Sequence, residues 1–146
     1  MMPYKSLEIT NASLKVEPSA KKIQFYKGYS SLTPTNSSVK IFDLELVKQD
    51  IINTFSTRRG ERVMNPSFGS IIWDVLMEPM TPAIRDSLNE DIKRICNSDP
   101  RVEPLELKLT EYPSGYIIEA TLKLKGTDQS TYMKLIFDQN IGLNIQ

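Results

Sequence analysis

The 146-residue chain contains no histidine. Without an imidazole there is no Ser-His-Asp or Cys-His nucleophile, no HExxH zinc site and no His-ligated metal. Only one cysteine is present, Cys96. A lone thiol makes neither an intrachain disulfide nor a cysteine-cluster zinc site. No apolar run approaches the roughly 20 residues that cross a bilayer, so no membrane span is expected. Met1 to Leu7 lack the apolar centre of a signal peptide. A soluble protein, made in a reducing compartment or indifferent to redox, is therefore expected. Net charge is missing too, since 18 basic residues balance 18 acidic ones. A nucleic-acid-binding domain normally carries a basic excess, so no nucleic acid partner is expected, and no cofactor.

What is present is an ordinary globular composition, 40% hydrophobic and 25% charged, at a length suited to one domain or one domain with an arm. The neutral total hides an asymmetry. Residues 1–40 hold six lysines and two glutamates, and the rest of the chain is acidic by the same margin. Residues 1–40 are also rich in turn formers such as Asn11, Pro18, Gly28, Pro34 and Asn36. Short alternating stretches, Leu7-Glu8-Ile9 and Ile23-Gln24-Phe25, read as strands within it. We read 1–40 as an extended N-terminal arm whose Ile23, Phe25, Tyr26 and Tyr29 dock on something, and 41–146 as the folded body.

In the body, helical spacing comes first. Asp43 is placed to cap a helix over 43–56, in which Leu44, Val47, Ile51 and Phe55 share one face. Gly60 is expected to close it through a positive φ. A short helix over 70–77 follows. Thr81-Pro82 starts a third helix, 82–97, with Ile84, Leu88, Ile92 and Ile95 as its inner stripe, and Asp99-Pro100 stops it. Beyond residue 100 the period becomes two, giving strands near 103–111, 116–125 and 131–138 joined by short turns. The expected fold class is α+β: two to three helices on one face of a three-stranded antiparallel meander. The tail Ile141-Gly142-Leu143-Asn144-Ile145 alternates again. It either covers the last strand within the monomer or is donated to a partner sheet.

Chemistry-bearing patterns are few. Glycoside hydrolysis needs only two carboxylates, and Asp74 with Glu78, or Glu103 with Glu106, are close in sequence. A chain with 18 acids produces such spacings by chance, so solvated acids are the expected reading. Cys96 beside Ile95 reads as a small buried residue, and Met64, Met77 and Met80 as core filler. Tyr26-Lys27-Gly28-Tyr29 lacks the spacing of a phosphate loop. The most informative cluster is Arg58-Arg59-Gly60-Glu61-Arg62, since arginine forks are enriched at interfaces.

Together with Asn65-Pro66-Ser67-Phe68-Gly69 and Glu78-Pro79-Met80-Thr81-Pro82, this cluster resembles the baseplate wedge family of contractile-tailed phages. That family is similar to the sheath initiator joining baseplate to tail sheath, and the type VI secretion baseplate has a related component. The resemblance covers about residues 40–140. Asp99-Pro100-Arg101 stands where the family carries Glu-Pro-Arg, with the acid one methylene shorter. The resemblance implies a structural component without turnover, present in several copies in the virion tail baseplate and assembled in the host cytoplasm. Its partners would be other baseplate wedge proteins and tail sheath subunits. It would dock on the wedge core and template sheath assembly by offering sheet edges. Some family members were labelled lysozymes, so a peptidoglycan-cleaving hydrolase of the tail is the alternative. The partner-binding residues expected on this basis are Arg58, Arg59, Gly60, Glu61, Arg62, Pro66, Phe68, Gly69, Asp99, Pro100 and Arg101. For Arg101 two roles are open: a fork offered to a partner, or an internal clamp between helix and sheet.

Overall fold

A computed structural model describes residues 24–31 and 39–146. In chain order its elements are β1 (Lys27–Tyr29), β2 (Lys40–Phe42), α1 (Asp43–Ser56), α2 (Ile72–Val75), α3 (Pro82–Ser98), β3 (Val102–Tyr112), β4 (Gly115–Leu124), β5 (Ser130–Asp138) and β6 (Gly142–Ile145). The α+β class and the change of period near residue 100 are as the sequence predicts. The strands β3 to β6 form one antiparallel meander in that order. This sheet has four strands where three are predicted. The tail turns at Gly142 and pairs with β5, Phe137 opposite Leu143 and Leu135 opposite Ile145. The alternating tail thus covers its own neighbour.

The core lies between the inner face of the sheet and the helices. Along β4 the side chains alternate without a break, with Ile118, Ala120, Leu122 and Leu124 turned inward. They meet Val47, Ile51 and Phe55 of α1 and Leu88, Ile92 and Ile95 of α3. Each fully buried aliphatic or aromatic side chain contributes about 1.5–3 kcal/mol relative to exposure. Phe137 is the aromatic centre, edge-on to Phe55 at 6.3 Å and to Trp73 at 5.3 Å. Trp73 satisfies its indole by donating to the Phe55 carbonyl at 2.7 Å.

The start of α3 follows its sequence. Thr81 Oγ1 accepts from the Ile84 amide at 3.3 Å and Pro82 occupies the first turn. The start of α1 does not. Phe42, in extended conformation, is the cap residue, and no side chain caps the helix. Asp43 sits at a φ of 47°, a conformation that short polar residues tolerate better than most. Its Oδ1 accepts from the amides of Phe25 at 2.9 Å and Tyr26 at 2.8 Å, and its own amide donates to the Tyr26 carbonyl at 3.1 Å. The carboxylate that could have capped α1 is taken by the residues just before a more distant strand, β1.

That strand belongs to a small hairpin. Lys27 to Tyr29 pair antiparallel with Phe42 to Lys40. Ser31 Oγ accepts from Gln49 and from Asn53 on α1. Gln24 and Phe25 are not in the strand expected at Ile23-Gln24-Phe25, and β1 instead begins at Lys27; Ile23 and the strand expected at Leu7-Glu8-Ile9 lie outside the described residues. Part of the stretch read as an arm is therefore packed on the first helix. Met64 and Met77 are exposed, against expectation; only Met80 of the three packs on the core. The middle helix is shorter than predicted, four residues of which Ile72 is buried.

Candidate functional site

The arginine-rich segment is a closed loop, not a helix cap. Thr57 ends α1 in an extended conformation. Gly60 does take a positive φ of 86°, but three residues later, where its amide donates to the Pro66 carbonyl at 3.0 Å. Ser70 returns beside the helix end, donating to the Thr57 carbonyl at 2.9 Å and accepting from the Arg59 amide at 3.1 Å. Gly69 makes this return possible. Its φ is 102°, and a Cβ there would lie 2.6 Å from the Thr57 carbonyl oxygen.

The loop is fastened from below by α3. Asp91 is 4% exposed and accepts from Ser70 Oγ at 2.9 Å, the Ile71 amide at 3.0 Å and Arg94 Nη2 at 2.6 Å. Arg94 also donates to the carbonyls of Ser67 and Gly69, at 3.2 and 2.6 Å. This pair was not foreseen. The signal was there: Asp91 falls between Leu88 and Ile95 on the inner stripe of α3, and an acid on an apolar stripe needs partners.

The three loop arginines have different engagements. Arg58 pairs with Asp74 of α2. Arg62 stacks its guanidinium over Phe68, 3.7 Å from the ring centre. Arg59 is 4.0 Å from Asp91, which Arg94 already holds. Glu61 stays exposed and folds back on its own loop, its carboxylate accepting from the Arg58 amide at 3.0 Å. Arg58, Arg59, Gly60 and Glu61 line an open hollow of about 800 Å³ together with Trp73 and Asp74. Ser67 and Asn65 bond to each other beside Pro66.

Asp99-Pro100-Arg101 lies at the junction of α3 and β3. Asp99 Oδ1 accepts from the Arg101 amide and Nε, both at 2.9 Å, and Oδ2 from Nη2 at 2.5 Å. Arg101 Nη2 also reaches Asp50 of α1 at 2.6 Å. The guanidinium passes 5.6 Å from the Tyr26 ring. Partial burial pulls the Asp99 carboxyl upward, but the Arg101 bonds outweigh it and hold the pKa below the ordinary value. Arg101 is held firmly charged, chiefly by its bond to Asp99. Of the two roles left open for Arg101, the internal clamp is the one its bonds describe. Asp50 was missed in the sequence because it lies on the polar side of α1.

The two segments partly converge. Arg62, Phe68, Asp99, Pro100 and Arg101 line one hollow of about 480 Å³ floored by α1. Arg58, Arg59, Gly60 and Glu61 face the other hollow instead. Among the described residues no three His, Cys, Asp or Glu side chains are grouped as metal ligands, and no helix is long and apolar enough to cross a membrane. Cys96 is buried, and burial pushes its thiol up to about 12. Asp74 is tied to Arg58. The Asp99 and Asp138 carboxyls are both lowered from the ordinary value; at Asp138 the leading cause is a bond from the Asn140 amide.

Fold and site define a small α+β module whose polar side chains are used to fasten loops and helix ends. The chain belongs to the baseplate wedge family: residues 43–129 match the family described as baseplate wedge protein gp25. Baseplate wedge protein gp25 of Enterobacteria phage T4 is 27% identical over 86 residues, 58% of this chain and 65% of that protein. The chain thus matches less than two thirds of the length of that relative. Among solved structures, a Geobacter sulfurreducens protein described as a candidate tail lysozyme superposes with a TM-score of 0.51 at 22% identity. The match covers 63% of this chain and 90% of that one. At that identity the likeness concerns the fold alone.

Proposed function

We propose that this protein is a structural component of a contractile tail baseplate wedge, without catalytic turnover, that docks on other wedge proteins and offers a sheet edge to the first tail sheath subunits. Its place is the virion tail, in several symmetric copies, after assembly in the host cytoplasm. Family membership supports the wedge role. The observation carrying the sheath role is the difference between the two edges of the sheet. The outer side of β3 is guarded: Pro104 removes a donor, the register slips between Pro104 and Glu106, and Glu103, Glu106, Lys108 and Glu111 line the strand. These are the devices that stop a sheet from pairing with strangers. The outer side of β6 has none of them, for Gly142-Leu143-Asn144-Ile145 is uncharged and carries no proline. An added strand would gain backbone hydrogen bonds there, with register set by alternating side chains.

The ladder tells which substitution tests this. Lys134 and Gln146 exchange both backbone bonds, at 3.1 and 2.9 Å. In an antiparallel pair the next exchanging residue on β6 is Asn144, so the amides of Leu143 and Ile145 point away from β5. Ile145→Pro therefore removes an outward donor while sparing the internal ladder. The expected outcome is a folded protein with an unchanged melting temperature that enters baseplates but no longer supports sheath polymerisation. Normal sheath growth on this variant would defeat the edge role. A tail lysozyme would instead cleave purified peptidoglycan, and would lose that activity on replacing one acid.

A further inference from the structure

We infer that Val63 and Met64, at the tip of the 58–69 loop, form an apolar anchor that enters a socket with a carboxylate-lined rim on another protein of the particle. This rests on the docking role proposed above and adds to it the contact point and the chemistry of the partner surface. Val63 is 92% exposed and Met64 95%, the two highest values among the exposed large hydrophobic residues described. They are neighbours in sequence. Scattered exposed apolar residues are ordinary, but two adjacent ones fully presented are not explained by the fold of the monomer.

The loop that carries them is built. Besides the Gly60 bond to Pro66, the Glu61 amide donates to the Arg58 carbonyl at 3.1 Å. The Asn65 amide donates to the Arg62 carbonyl at 3.2 Å, and the Phe68 amide to the Asn65 carbonyl at 3.1 Å. Arg94 clips its returning limb through two carbonyls. A tip fixed in this way loses little conformational freedom on docking, which is what makes an anchor effective. The charge around the tip selects the partner. Glu61 is turned back onto the Arg58 amide and Arg58 is neutralised by Asp74. Arg62 stacks on Phe68 and has no carboxylate partner among the described residues, and Arg59 pairs with Asp91 only at 4.0 Å. The tip thus presents two apolar side chains next to the Arg62 guanidinium, with the half-exposed Arg59 guanidinium, 4.0 Å from Asp91, on the same loop. A socket of apolar floor and acidic rim complements that pattern; a basic surface is repelled by it.

The test compares the free chain with purified tail particles. In the free chain, dilute hydrogen peroxide should oxidise Met64 rapidly while buried Met133 resists. In the particle Met64 should oxidise at least about tenfold more slowly, as expected for a desolvated contact. If the chain is absent from particles, the docking role itself fails. If it is present and Met64 oxidises at the free-chain rate, the anchor fails while that role stands. The charge is tested by the paired change Arg59→Glu with Arg62→Glu against Arg59→Lys with Arg62→Lys. Incorporation into particles should fall about tenfold or more for the glutamates and stay within about twofold for the lysines. Full incorporation of the glutamate form overturns the acidic rim. Should that form fail to fold, the pair Val63→Ser with Met64→Ser, which touches no internal bond, must show the same loss. Photo-methionine crosslinking mapped to residue 64 identifies the contact. A crosslink to a carboxylate-rich segment of a different protein supports the inference. A crosslink to a second copy of this chain overturns it.

Discussion

Arg101 shows how much a single side chain can fasten. It sits where the chain passes from α3 into β3, braced by Pro100, and its fork reaches both Asp99 and Asp50 of α1. Three elements meet at one guanidinium. Arg101→Ala should therefore lower stability by about 1–2 kcal/mol, the value of a charged hydrogen-bond set discounted for its partial exposure. Chemical denaturation measures it, and a variant as stable as the parent would return Arg101 to a purely external role. Arg101→Lys should recover only part, since an ammonium lacks the planar fork. The same cluster sets an acid limb. The Asp99 pKa in the folded chain lies below its ordinary value of 3.8. The ionised form thus contributes stability above that value, and the contribution is lost as pH falls through the folded pKa. Between pH 6 and pH 3 the parent should lose more stability than Asp99→Asn, compared by urea titration at both pH values. Equal losses would show that another acid governs the limb.

Among the elements, the 58–69 loop is the one whose position was least legible. The residue types that define it, three arginines, two glycines and a proline, were visible, and they marked it as a turn with an interface character. The sequence did not show that Gly69 rather than Gly60 makes the close approach. That depends on a contact with Thr57, formed only when Ser70 returns beside α1. Nor was the Asp91–Arg94 clip predicted, because periodicity counts apolar residues and passes over an acid among them. Asp91→Ala would take the carboxylate from Arg94 and leave Ser70 Oγ and the Ile71 amide without their acceptor. The expected cost is about 2–4 kcal/mol, the loss of one partner of a mostly buried pair. A melting temperature within a degree of the parent would mean that the loop does not depend on α3.

At the scale of the whole molecule, periodicity served well where one face is buried and the other is wet. The helices over 43–56 and 82–98 and the long strands were legible for that reason. It failed where long-range pairing decides. Asp43 read as a local cap, and its carboxylate instead gathers the Phe25 and Tyr26 amides from about 17 residues away. The boundary at residue 40 was drawn from composition, whereas β1 and β2 pair across it. Deleting residues 1–30 should therefore leave the body folded but lower its melting temperature, because the nearly buried Asp43 carboxylate loses both donors. An unchanged melting temperature in calorimetry would show that the hairpin is dispensable to the body.

The unequal edges of the sheet give the molecule a direction. A ribbon blocked on one flank and open on the other grows only one way, as a primed strand does, and each strand added becomes the new growing end. Two copies meeting in solution can join only through their open flanks, and the pair then has no open flank left. Self-association through this sheet stops at two, while addition of a different, repeating subunit can continue without limit. In the role proposed above, the same asymmetry would limit the free protein's own stacking and let it begin a polymer it does not itself belong to.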